Sequence, residues 1–319
     1  MNANLLERHR VGNALQSLLL LGGMLAILAL IGRLLAGPEG MVMTLIAGAF
    51  LLLIGPRISP ALMLRLYGAR PLSPSHAPRL HALLRELSAR AGLGDVPELH
   101  YLPSRVMNAF TVGSRRHAAV AVSDGLLRAM NLRELAGVLA HELSHVRHND
   151  MWVMGLADMV SRLTGALSFV GLLLVLVNLP LLMFTELSIS WFAILLLVLA
   201  PSISALLQLA LSRTREYEAD RGAVALTGDP RGLASALAKL ERYPSGLLER
   251  ILLPGRRMPD PSLLRTHPHT QARIERLLSL SVEPDHPALR FDSIDPWRET
   301  AWPRIRRSPR MRPWFGVWH

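Results

Sequence analysis

His141-Glu-Leu-Ser-His145 sets two imidazoles four residues apart. On a helix, positions i and i+4 share a face, so both rings can reach one cation. Glu142 is turned by about 100° from His141, which lets its carboxylate reach a water activated by that cation instead of the cation itself. The chain has no cysteine. Disulfides, thiolate ligands and cysteine nucleophiles are excluded, and a transition-metal site must be built from histidine and carboxylate.

Two histidines leave such a site incomplete, because a third protein ligand is needed with one position kept for water. Residues 212–220 supply Glu216 and Asp220, one helical turn apart and on one side. Glu216 fits as the ligand. Asp220 fits as the acceptor for the second ring N–H of a ligand histidine, fixing its tautomer. An acidic pair beside arginines usually faces water, and only its coupling to the histidine pair gives it weight. His148 shares a face with His145, but a fourth protein ligand would close the site to water, so it reads as a bystander, as does His269. Asp150 reads as a local cap or local pairing partner.

The elements around these residues divide into apolar and mixed blocks. Four spans are predicted at 14–36, 41–55, 163–184 and 188–211, most of them near the roughly 20 residues that cross the hydrocarbon. The second is short before Gly55-Pro56 and either spans or re-enters. No small-residue cleavage pattern follows the first, so it reads as a retained span. Between the pairs, leucines at 80, 83, 84 and 87 mark a helix over 76–91. The segments 97–102, 106–112 and 118–122 are short and β-branched, a small sheet whose edge beside the His141 helix, expected at 108–110 and 118–122, is either a place for an extended substrate or purely structural. Asn131 with Glu134 predicts a capped helix start running through His148. Helices are expected again over 212–226, 229–242 and 270–280.

The chain carries 35 basic against 24 acidic residues, a net charge of +11. Nucleic acid is not the expected partner: the arginines have no reading module and no interleaved stacking aromatics. An anionic lipid surface explains the charge more simply. Arginines crowd 56–162 and 212–319 and are absent from 37–40 and 178–190, which places the N-terminus and both mixed blocks in the cytoplasm. The tail 283–319 holds Trp297, Trp302, Trp314 and Trp318 among arginines and prolines, and is either a solvated end or a contact to the lipid surface.

The order of these features resembles the HtpX-type membrane metalloproteases, relatives of the CAAX prenyl proteases. The residues that carry the likeness are Tyr67-Gly-Ala-Arg70, Asn108-Ala-Phe110, 119–127, 138–150, 212–220 and Thr266-His-Pro268. The resemblance implies Zn2+ held by His141, His145 and Glu216, and Glu142 as general base. It also implies cleavage of misfolded or damaged membrane proteins, within stress-linked quality control at a bacterial inner membrane. His267 is then either the imidazole that stabilises the oxyanion or a turn histidine fixed by Pro268. The expected fold is a mainly α membrane protein of about four transmembrane helices, with a cytoplasmic gluzincin-type zinc-protease domain containing a small β-sheet. Its parts are 1–66 and 163–211 as helical pairs, 67–162 and 212–282 as catalytic parts, and 283–319 as the tail.

Three other classes fit less well. An intramembrane protease would bury its motif in a span, yet Arg147, His148, Asn149 and Asp150 follow directly here, at about 2.5–3.5 kcal/mol per charge inserted. A non-catalytic metal- and lipid-binding membrane scaffold has no use for Glu142. A transporter would carry more charge inside its spans than Arg33.

Overall fold

The computed structural model describes residues 3–54, 60–184, 191–242, 270–279 and 287–289. By contacts the chain divides into two units, Met1–Arg57 with Trp152–Thr214, and Ile58–Met151 with Arg215–His319. Helices α6 (Asp150–Phe184) and α7 (Trp191–Thr227) run through both boundaries without a break.

The first unit is helical. Among the described residues, three helices are long and apolar enough to cross a membrane: Leu15–Phe50, Asp150–Leu176 and Phe192–Thr227. The first lies within α1 (Ala3–Ile54), which is not straight. Its helical geometry fails at Ala36 and Gly37, where Gly37 takes a φ of 65°, and Pro38 restarts the helix. The two arms then run back along each other. A Cβ on Gly32 would lie 2.5 Å from the Gly40 carbonyl oxygen, and one on Gly48 would lie 3.2 Å from the Leu25 side chain. In a straight helix Leu25 and Gly48 would stand roughly 35 Å apart, so the predicted spans 14–36 and 41–55 are the arms of a hairpin. The predicted spans 163–184 and 188–211 fall on α6 and α7. Of the last, 188–190 lies outside the described residues. Met24, Leu28, Leu156, Ala157, Val160 and Leu211 form the inner seam. Leu18, Leu19, Met43, Ile46, Phe169 and Leu206 stand exposed on the outside. A surface this apolar has its place in lipid.

The second unit holds α2 (Pro60–Leu66), α3 (Pro78–Arg90), α4 (Asp124–Ala129), α5 (Leu132–His148), α8 (Pro230–Arg242) and α9 (Thr270–Ser279), together with the ends of α6 and α7. Among the described residues its sheet has four strands, β1 (Arg70–Pro71), β2 (Glu98–Leu102), β3 (Ala109–Ser114) and β4 (His117–Ser123), in the order β1-β2-β4-β3. β2 and β4 are parallel, β1–β2 and β3–β4 antiparallel. β3 is therefore an edge strand, while β4, expected at the edge, lies inside the sheet. One face of the sheet packs with α3, α5, α7 and α8 through Leu84, Val120, Leu139, Leu143, Val224 and Leu233.

Two small residues set how closely these helices approach α5. A Cβ on Gly137 would meet the Leu233 backbone at 2.8 Å, and one on Gly222 would meet Ser144 Oγ at 2.0 Å. The second contact is what brings α7 and its carboxylates against the histidine helix.

Candidate metal centre

Helix α5 begins where its sequence says it should. The Asn131 side chain accepts from the Glu134 N–H and the Glu134 carboxylate from the Asn131 N–H, both at 2.9 Å. Two turns on, His141 and His145 face the same side and their Nε2 atoms lie 3.2 Å apart. Glu216 on α7 completes the group: Oε2 is 3.4 Å from His141 Nε2 and Oε1 is 3.7 Å from His145 Nε2. Ligand atoms set tetrahedrally around a cation with bonds of about 2.0–2.1 Å lie about 3.3 Å apart. The two Nε2 atoms stand near that spacing and each has one Glu216 oxygen at a comparable distance, and one ligand atom from each residue lies within 4.8 Å of the others, so the donor set can close around a small cation.

What lies behind the histidines fixes which nitrogen faces the group. Asp220 Oδ1 is 3.0 Å from His141 Nδ1, and Asp150 Oδ2 is 2.9 Å from His145 Nδ1. A carboxylate can only accept, so the hydrogen-bonded His145 Nδ1 carries the hydrogen and leaves Nε2 to face the group, and the Asp220 carboxylate beside His141 Nδ1 favours the same arrangement when that ring binds a cation. The carboxylates are held in turn. Arg273 on α9, 2 % exposed, donates to Asp220 through Nε at 2.8 Å and Nη2 at 2.6 Å, and its Nη1 lies 3.1 Å from Glu216 Oε2. Arg215 Nη1 donates to Asp150 Oδ1 at 3.1 Å.

Glu142 is buried beside the histidines. Its Oε2 accepts from the Thr111 hydroxyl at 2.9 Å, and its Oε1 has no hydrogen-bond partner among the described residues. Burial pushes its carboxyl up from the ordinary range against the pull of the two histidines. Burial alone would lower His141, but the carboxylates of Asp220 and Glu216 outweigh it and raise the metal-free ring to about 9. Without a cation the cluster holds protons, so loading a metal must release them.

The structure thus brings together His141, Glu142, His145, Glu216 and Asp220. His148 stands off the group, half-buried, with Nδ1 3.4 Å from Ser144 Oγ. His267 and His269 lie outside the described residues. Asp150, read as a local cap or pairing partner, does pair locally, with His145 five residues earlier, across the left-handed turn at Asn149 (φ 58°). Sequence reasoning missed that this partner is a histidine of the site. It also missed Arg215, which adjoins Glu216 on α7 and reaches Asp150, and Arg273 and Thr111, which come from elements that no local spacing links to the site.

Comparison with known proteins shows the family. The model for peptidase family M48 matches residues 74–281. A protease HtpX homolog of Acaryochloris marina is 38 % identical, covering 88 % of this chain and 100 % of that one. One from Pyrococcus furiosus is 36 % identical over 83 % of this chain and 95 % of its own. Among solved structures, S. mikatae Ste24p matches with a TM-score of 0.45 and 19 % identity, over 85 % of this chain and 66 % of that one.

Proposed function

Because the chain belongs to peptidase family M48 and is an integral-membrane metalloprotease, we propose that its metal is Zn2+, held by His141, His145 and Glu216, with Glu142 as general base. The observation that carries this reading is the convergence of both Nε2 atoms and the Glu216 carboxylate on one point, with each Nδ1 held from behind. Nitrogen and carboxylate donors at this spacing suit zinc better than the harder, oxygen-preferring cations. When bound, the ion supplies Lewis-acid chemistry, acidifying water and polarising a carbonyl.

The protein's own residues do the rest. Glu142 takes a proton at Oε1 from the attacking water and returns it to the departing amine. Asp220 and Asp150 keep the histidines in one tautomer, and Arg273 holds the Glu216 and Asp220 carboxylates in place. An extended peptide is read as adding to the free edge of β3 through main-chain hydrogen bonds, which are indifferent to side chains. His267, on sequence grounds, is assigned to the oxyanion.

The substrates we infer are loops and ends of membrane proteins, damaged ones foremost, since the enzyme shares their membrane. The arginine bias supports a cytoplasmic-side site in a bacterial inner membrane, and the tryptophans and arginines of 283–319 support a lipid-surface contact there. The boundaries 1–66, 67–162, 163–211, 212–282 and 283–319 remain our functional partition. Elemental analysis of detergent-purified protein, with casein cleavage before and after chelation, tests the core of this reading. It expects about one zinc per chain and activity lost with the metal and regained on adding zinc. Full cleavage by metal-stripped protein would overturn it.

A further inference from the structure

Thr111 sits on the edge strand of the sheet, yet its side chain engages the helix that carries the histidines. Along β3, Ala109 packs into the core shared with α5, while Phe110 and Val112 join the cluster on the opposite face with Leu64, Leu102 and Ala121. Alternation therefore turns Thr111 toward α5. There its hydroxyl donates to Glu142 Oε2 at 2.9 Å, and Glu142 Oε1 is left without a hydrogen-bond partner among the described residues. Thr111 is registered against Val120 in the β3–β4 ladder, and no other strand among the described residues lies beyond β3.

We propose that Thr111 is a positioning residue for the general base, holding Glu142 Oε2 so that Oε1 is the oxygen that accepts and returns the proton. The proposal rests on the reading of Glu142 as that base. A glutamate has three side-chain torsions, and the Thr111 hydroxyl is the hydrogen-bond partner that the described residues give to this one. One hydroxyl on a β-branched residue in a strand is a stiff anchor, because its χ1 is restricted. The bond goes to a charged acceptor and orients a reacting group, so its loss should cost roughly ten- to a hundredfold in turnover. It also ties the base to the strand on which an extended peptide would lie, so that peptide and base share one frame of reference.

The test compares Thr111→Val, Thr111→Ser and Glu142→Gln in the full-length, zinc-loaded protein in detergent. For each, kcat and KM on a fluorogenic peptide are measured beside zinc content, thermal midpoint and the Kd of a peptide hydroxamate. Thr111→Val should lower kcat about tenfold or more with KM within about twofold, keep zinc and midpoint, and weaken the hydroxamate. Thr111→Ser should restore kcat, since it restores the donor. Thr111→Ala replaces Thr111→Val if the latter folds poorly. Wild-type kcat in the hydroxyl-free variant, no rescue by serine, or a change in KM alone would each overturn the proposal. If Glu142→Gln is inactive while the hydroxyl-free variant is not, only the role of Thr111 fails. If Glu142→Gln turns over normally, the reading of the base itself fails.

Discussion

Asp150 Oδ2 lies 2.9 Å from His145 Nδ1, although Asp150 opens a different helix. Asn149 makes this possible by ending α5 in the left-handed region, so that the chain turns and α6 starts beside His145. The same carboxylate is anchored at its other oxygen by Arg215. Asp150 and Asp220 thus do for His145 and His141 the same job from two different helices.

Asp150→Asn should therefore weaken metal binding by roughly 10- to 100-fold while leaving the fold intact. An amide can present its NH2 to Nδ1 and stabilise the wrong tautomer, turning the hydrogen toward the metal position. Zinc affinity by competition with a chromophoric chelator checks this. Unchanged affinity would show that His145 needs no partner.

Arg273→Met should be more severe. It strips the counter-charge from two buried carboxylates, Asp220 and Glu216, and breaking such a group costs about 3–5 kcal/mol. A drop of several degrees in thermal midpoint and reduced zinc content are expected. Arg273→Lys should rescue little, because an ammonium cannot span both carboxylates as the planar fork does. Wild-type zinc content in Arg273→Met would remove Arg273 from the account.

The two carboxylates nearest the metal position should separate by role. Glu142→Gln is expected to keep zinc and lose peptide cleavage, as an amide takes no proton. Glu216→Ala is expected to lose zinc first. Equal zinc loss in both variants would contradict the assignment of one as base and the other as ligand.

How much of this could be read beforehand depended on range. The start of α5 was legible because Asn131 and Glu134 satisfy backbone groups three residues apart. Glu216 and Asp220 were legible because one helical turn links them. The fold-back of α1 was half legible: Gly37-Pro38 marks a break, but only the Gly32–Gly40 and Leu25–Gly48 contacts make it a hairpin. Arg273 lies 53 residues from Asp220, and Thr111 lies 31 residues from Glu142. Such pairs are set by which helix packs on which face, and no periodicity in the chain encodes that.

A prediction away from the site concerns acid stability. Burial alone would raise the Glu134 carboxyl, but bonds from Lys239, from Ser235 and from the Asn131 backbone outweigh it and hold the group below its usual 4.5. A carboxyl depressed in the folded state contributes stability above its unfolded value and loses it as pH falls through the folded one. The midpoint gap between wild type and Glu134→Gln should thus be widest near neutrality and narrow below about pH 4.5. Zinc loss in acid affects both proteins alike and drops out of the difference. A gap that is constant with pH would mean that the carboxylate charge contributes nothing.

The last prediction concerns sidedness, which decides what the protease can meet. The arginine-rich segments 56–162 and 212–319 should share one side of the membrane with the N-terminus. That requires the second arm of α1 to return across the bilayer. Residues 38–54 span roughly 25 Å at about 1.5 Å per residue, a little short of the hydrocarbon's roughly 30 Å. The arm must therefore be met by local thinning, at a cost of fractions of a kcal/mol per ångström. Because the chain has no cysteine, single cysteines at Asn4, Glu39, Ser114 and Gly316 report each side without background. Impermeant maleimide added to intact cells should label only the cysteine at Glu39, and lysed cells should expose the other three. If the second arm fails to cross, Asn4 and Ser114 would label from opposite sides. Labelling of Ser114 and Gly316 in intact cells would move the catalytic unit out of the cytoplasm altogether.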